Sequence, residues 1–195
     1  MLFFFRNNVY ICTLLAAVSF LAGCAANQQK PTKQELYHGL PYHAVTTLTP
    51  PQGVIKVSAT DLNTILLGES KPILIDVYGA IFREESLDFD GAWLVSTPRK
   101  NIIGSVWLPN VGKQELKPVV KLYFETNLKD LTLGDKSKTL VFYCIEDCWM
   151  AWNAAKRAHE WGYSDVLWFR EGVDGWKDIK GQLEASEPIN LPVND

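Results

Sequence analysis

Two cysteines separated by three residues carry the chemistry open to this chain: Cys144 and Cys148, in the stretch Tyr143-Cys-Ile-Glu-Asp-Cys-Trp-Met-Ala-Trp152. A thiolate is a nucleophile, a soft metal ligand and one half of a disulfide, and its pKa and neighbours decide which of these it becomes. A curled loop of this length brings two Cα atoms within the roughly 4.4–6.8 Å that a disulfide needs. The loop also holds Ile145, two carboxylates (Glu146 and Asp147) and the apolar Met150. Trp149, directly after Cys148, stands where it would either shield a disulfide or wall a pocket.

Such a loop needs a frame, and the flanking residues supply one. Thr139 to Tyr143 is β-branched and aromatic, which reads as a buried strand. Met150, Ala154, Ala158 and Trp161 recur at spacings of four, four and three, the pattern of one helix face. Asp147 is the expected N-cap of that helix, its carboxylate accepting first-turn amide hydrogens. Cys144 then sits at the strand's end and Cys148 near the helix N-terminus. Free amides and the positive end of the helix dipole converge there, stabilising a thiolate or persulfide and lowering a cysteine pKa.

The elements before and after this corner alternate. Gly53–Val57 reads as a short strand, and Ser58 caps a helix through Leu62 and Leu66 that Gly68 ends. Pro72–Val77 is a continuous apolar run with Asp76 as its one charge, the mark of a strand buried on both faces. Asn101–Pro109 is expected to be one further strand, Val119–Leu128 an amphipathic helix, Asp165–Phe169 a strand, and Glu171–Trp176 a glycine turn into a last short helix. Ile81–Pro98 is irregular and long for a loop, a place for a partner or substrate to meet the domain. Alternation of this kind implies an α/β fold, a central parallel sheet with helices on both faces. Ligands of such sheets bind beyond the carboxyl ends of the strands, where Asp76 and Cys144 both fall, so Asp76 is assigned to the pocket.

The 195 residues suit one domain with extensions. A net charge of −3 gives no reason to expect nucleic acid as a partner. Residues 1–23 are set apart: Arg6 precedes an apolar run from Val9 to Leu21, too short for a membrane span and suited to a signal peptide. Its ending, Leu21-Ala-Gly-Cys24, resembles the lipobox of bacterial lipoproteins. That resemblance implies a mature protein acylated on Cys24 and anchored by lipid to a bacterial membrane, in the periplasm, with Ala25 favouring the outer membrane. Residues 24–52 are polar and proline-marked and read as a tether and lead-in, and 53–195 as the folded domain. His38 and His43 in the lead-in are read as solvated side chains rather than metal ligands.

The order of motifs resembles the rhodanese-like domain. Ile73-Leu-Ile-Asp-Val77 is similar to its second strand, Ile102 to Pro109 to its glycine-containing segment ending in Leu-Pro, and Leu140-Val-Phe-Tyr-Cys144 to the strand that delivers the active cysteine. Gly162-Tyr163, the strand to Phe169 and Gly172-Val-Asp-Gly-Trp176 resemble the usual sequel. The resemblance implies that Cys144 holds the sulfur-carrying position. It also marks departures: Trp149-Met150 stands where such loops return an anion-holding arginine, and Tyr78 stands where an arginine follows the strand's aspartate. The C-x-x-x-C-W spacing resembles the periplasmic "CXXCW motif" group associated with alcohol catabolism dependent on pyrroloquinoline quinone. The association implied is by pathway, with a redox or dehydrogenase-associated protein of that pathway as partner, and the quinone itself is not expected to bind.

Three functions compete on these residues. In the first, Cys144 reacts and Cys148 resolves it, through a reversible and exposed Cys144–Cys148 disulfide. In the second, the corner is a binding module with a structural disulfide, although so small a loop gains little chain entropy from being closed. Two thiols fall short of a zinc site, so copper(I) is the metal they suit. The third, thiosulfate sulfurtransfer, wants the anion-holding arginine that the loop does not have.

Overall fold

The computed structural model describes Met1, 36–83 and 93–191. The signal peptide reading, Cys24 and most of the tether lie outside the described residues. The chain divides between Gln34 and Glu35, and the fold below is that of the second unit. No helix among the described residues is long and apolar enough to cross a membrane.

Five strands form a parallel sheet: β1 (Ile55–Val57), β2 (Ile73–Asp76), β6 (Val106–Trp107), β7 (Leu140–Tyr143) and β8 (Val166–Phe169). Their order is β1-β8-β7-β2-β6, so β7 is central and delivers Cys144 at the middle of the sheet's carboxyl edge. Side chains of a strand alternate between faces, and β7 and β8 are apolar throughout because both of their faces are covered. Leu140 and Phe142 join the core on one face, with α2 (Pro118–Thr132) and α3 (Trp149–Glu160) over them. Val141 and Tyr143 join the core on the other, under α1 (Ala59–Leu67) and α4 (Gly172–Asp178). All four β7 side chains are fully buried. At about 1.5–3 kcal/mol for each large apolar side chain removed from water, this strand is among the firmest supports in the molecule.

The predicted helices form with small shifts of boundary. Ser58 caps α1 through a reciprocal capping box with Asp61, and Gly68 follows its end. The strand expected over Asn101–Pro109 is instead two. Gly104, at φ 79°, turns the chain between β5 (Arg99–Ile102) and β6, and the Ser105 amide donates back to the Ile102 carbonyl. Only β6 joins the main sheet. β5 pairs antiparallel with β9 (Leu183–Ser186), a strand absent from the sequence reading because it is short and carries no β-branched or aromatic residue. Two-residue strands β3 (Ile81–Phe82) and β4 (Trp93–Leu94) pair within the irregular stretch.

Candidate functional site

Cys144 leaves the end of β7 and is fixed by its carbonyl. That oxygen accepts from the Val173 amide at 3.0 Å and from Arg99 Nη2 at 3.4 Å. Gly172 allows this approach: at φ 56°, a Cβ there would stand 2.5 Å from the Cys144 oxygen. The chain then turns over Ile145 and Glu146, with Asp147 in the left-handed region at φ 52°. Cys148 comes back over Cys144, the Cα atoms 6.1 Å apart, and the two sulfurs are joined in a disulfide.

The cap of α3 differs from expectation. Cys148, extended at φ −116°, is the N-cap residue and makes no side-chain capping bond, because its sulfur is turned into the bridge. The Trp149 amide donates instead to the Tyr42 carbonyl at 2.8 Å. Asp147 faces away from the helix: its Oδ1 accepts from the Thr46 amide at 3.0 Å, from Thr46 Oγ1 at 2.9 Å and from Arg170. Burial alone would raise the Asp147 pKa, but the Thr46 hydrogen bonds and the Arg170 charge outweigh it and hold the carboxyl below its usual range.

The lead-in is therefore part of the site. Tyr42–Ala44 crosses the loop as a strap. His43 and Cys148 form an antiparallel bridge, and the Ala44 amide donates to the Asp147 carbonyl at 3.0 Å. The bridge expected to be exposed is buried, Cys144 being 0% and Cys148 2% accessible. The strap above, together with Gly172–Val173 beneath, explains the difference. Tyr42 also packs on the main core, whereas Leu40 and Val45 remain exposed.

Both histidines read as solvated are engaged. His38 stacks on Trp149 with ring centroids 3.4 Å apart, and Trp149 meets Trp152 edge-on at 5.8 Å. His43 stacks on Tyr78 at 5.2 Å, and a ring nitrogen of His43 lies within 4.8 Å of both sulfurs. Partial desolvation against the loop, then the Arg99 charge, lowers the His43 pKa below its ordinary value of 6.5, so the imidazole is neutral at neutral pH.

Asp76 is fully buried beneath the loop. Its carboxylate accepts from Arg99 Nε at 2.6 Å and from the Tyr78 amide at 2.8 Å. Burial pushes the carboxyl up to about 6, against the pull of Arg99 and the Tyr78 amide. Arg99 also lies 4.1 Å above the Tyr78 ring. Tyr78, at the position of the missing arginine, thus carries an arginine delivered by β5. Met150, at the other such position, is buried in the core and adds no charge. A polar cleft of about 380 Å³ opens on the loop's outer side, lined by Glu146, Arg170 and Glu171. Its arginine is already spent on Asp147 and Glu146.

Sequence reasoning placed Cys144, Ile145, Glu146, Asp147, Cys148, Trp149 and Met150 on one corner, and the structure puts them there. It missed Arg99, Arg170, Thr46 and the role of His43. No local pattern marks them, since each reaches the loop from a distant part of the chain.

In overall structure the chain is similar to a thiosulfate sulfurtransferase from Pseudomonas aeruginosa (12% identity, 73% of this chain and 22% of that one, TM-score 0.47). It is also similar to a polysulfide-sulfur transferase homodimer from Wolinella succinogenes (17% identity, 68% and 79%, TM-score 0.43). An anaerobic ergothioneine biosynthesis enzyme from Chlorobium limicola is a further neighbour (17% identity, 69% and 32%, TM-score 0.44). The chain thus spans about a fifth of the length of the first and a third of the last. No curated protein matches it. The family model of the rhodanese-like domain matches residues 59–179, more than half of the sequence, from α1 to the end of α4, and the chain belongs to the rhodanese-like domain family.

Proposed function

We propose that this rhodanese-like domain handles sulfur or electrons through a reversible Cys144–Cys148 disulfide, as a lipid-anchored periplasmic protein accessory to alcohol oxidation dependent on pyrroloquinoline quinone. The disulfide between the end of the central strand and the cap of α3 is the observation that carries the chemistry. Two reactions end on it. In the first, Cys144 carries a persulfide, the Cys148 thiolate attacks the Cys144 sulfur, the terminal sulfur leaves as hydrosulfide, and the disulfide forms. In the second, a partner disulfide takes two electrons and two protons from the Cys144 and Cys148 thiols, which join as the disulfide while the partner becomes a dithiol.

Neutral His43 beside the sulfurs is suited to accept a proton from an attacking thiol. It lies within 4.8 Å of both sulfurs, so either thiol could be its client. The partner is a periplasmic redox protein or one associated with the dehydrogenase. The pathway and location rest on the sequence resemblances alone.

Thiol labelling and mass spectrometry of protein taken directly from cells tests the reading. Cys144 and Cys148 are expected to be found partly as thiols or as a Cys144 persulfide, in proportions that follow an added reductant. A disulfide that stays complete under every growth condition overturns it. The rival reading, a binding module for a soft metal, is favoured by one specific observation: the third donor, His43, at the sulfurs.

A further inference from the structure

His43, Cys144 and Cys148 place one imidazole nitrogen and two sulfurs within 4.8 Å of one another. We propose that the reduced form of this corner is a copper(I) site in which these three side chains bind one ion. The proposal rests on the reading that the Cys144–Cys148 bond opens, and it adds what the opened site holds.

Metal–sulfur bonds near 2.3 Å and metal–nitrogen bonds near 2.0–2.1 Å put the donors of a three-coordinate site about 4 Å apart. Once reduced, the sulfurs separate to that distance by side-chain rotation, since Cα atoms 6.1 Å apart already suit it. The imidazole, inside 4.8 Å, then has to close by less than about 1 Å. Its position is not accidental. The backbone of His43 is paired with that of Cys148, with hydrogen bonds on either side of the pair at 3.0 and 2.8 Å. Its ring is steadied on Tyr78 at 5.2 Å. The ligand is thus tied to the peptide whose sulfur it would share an ion with.

The donor set selects the ion. Thiolates favour soft ions, and among the described residues this trio is the one such cluster of His, Cys, Asp and Glu donors. Zinc held by three protein ligands takes a water as its fourth, whereas copper(I) is content with three soft donors and both sulfurs here are shut off from solvent. Two thiolates with a monovalent ion leave one negative charge, beside the Arg99 guanidinium that lies 4.1 Å over the same Tyr78 ring. The sulfurs are buried, whereas His43 is exposed and offers the entry path. Loading exchanges two thiol protons for the ion, and no electron is transferred.

The test uses the full chain, reduced with a phosphine under argon, with thiols counted before metal is added. Copper(I) alone is then titrated in competition with a chromogenic chelator, and X-ray absorption counts the scatterers. The expected result is one ion per chain, two sulfurs and one nitrogen at the ion, and loss of binding in Cys144→Ser and Cys148→Ser. His43→Ala is expected to keep both sulfurs, lose the nitrogen and weaken binding about 100-fold. His43→Gln, checked for fold by circular dichroism, is expected to behave likewise. Unchanged affinity in both His43 variants, a second ion bound as tightly, or displacement by equimolar zinc overturns the proposal. If the thiol count stays at zero in folded protein, the redox reading falls and this one with it. If two thiols appear and no copper binds, only this one falls.

Discussion

His43 and Cys148 lie side by side as an isolated antiparallel bridge, so the lead-in is stitched to the cap of α3. The consequence is a covered disulfide whose upper wall is held by backbone hydrogen bonds and by Asp147. Opening that strap is the physical event that any exchange with a large partner requires.

The two cysteines differ in what holds them, and their variants should differ too. Cys144 is pinned through its carbonyl at the end of β7, at the position that the resemblance implies carries sulfur, whereas Cys148 is held by its pairing with the strap at the cap of α3. Cys148→Ser should trap a mixed disulfide or persulfide on Cys144, and Cys144→Ser should trap little, as read by intact mass. A bridge closing so small a loop is worth about 2 kcal/mol, so both variants should stay folded. Unfolding of either in circular dichroism would make the bridge structural.

Thiosulfate should be a poor substrate. Bidentate anion binding needs an uncommitted arginine, yet Arg99 is held by Asp76, and Arg170 by Asp147 and Glu146. Cyanide-dependent thiocyanate formation should be weak or absent, and a turnover of order 10 per second would restore the sulfurtransferase reading.

The strap should loosen in acid. Asp147 has a folded pKa below its ordinary 3.8, so its contribution is present above that value and is lost as pH falls through the lower, folded one. Amide exchange at Thr46, which donates to Asp147 at 3.0 Å, should rise below about pH 4 beyond the intrinsic rate. Asp147→Asn removes a charge-assisted bond of about 1.5–3 kcal/mol. It should abolish that pH dependence and speed reduction of the disulfide by a phosphine about tenfold. Identical exchange profiles in the two proteins would refute the strap's dependence on Asp147.

Gly172 should not accept a side chain. A Cβ placed 2.5 Å from the Cys144 oxygen forces backbone to move, and φ 56° adds strain. Gly172→Ala should cost about 1–3 kcal/mol in denaturant melts and weaken the Val173–Cys144 hydrogen bond, seen as faster exchange at Val173. A cost near zero would show that α4 shifts freely.

Anchoring is tested at Cys24. Cys24→Ala should release the protein from membranes or halt its processing, whereas wild-type protein should carry acyl groups on that residue by mass spectrometry. An unmodified signal peptide on the wild-type protein would remove the lipoprotein reading.

Local chemistry made the frame of the site legible. The run Leu140–Tyr143 is apolar on both faces, so it had to be a central strand, and the helical spacing after Cys148 had to follow it. Those two facts set the cysteines on one corner without any knowledge of the fold. The same reasoning failed at Asp147, because capping propensity weighs only neighbouring amides, and in the folded chain Thr46 and Arg170 compete for that carboxylate and win. Burial of the bridge, the imidazole beside it and the partner of Asp76 were likewise beyond reach. Each depends on a segment that no period or spacing links to the loop: the strap at 42–46, and β5, which leaves the main sheet and returns Arg99 to it. The sequence determined where the sulfurs are, through backbone preferences that act within a few residues. Tertiary structure decided what surrounds them, because enclosure and charge are set by whichever distant segments pack there.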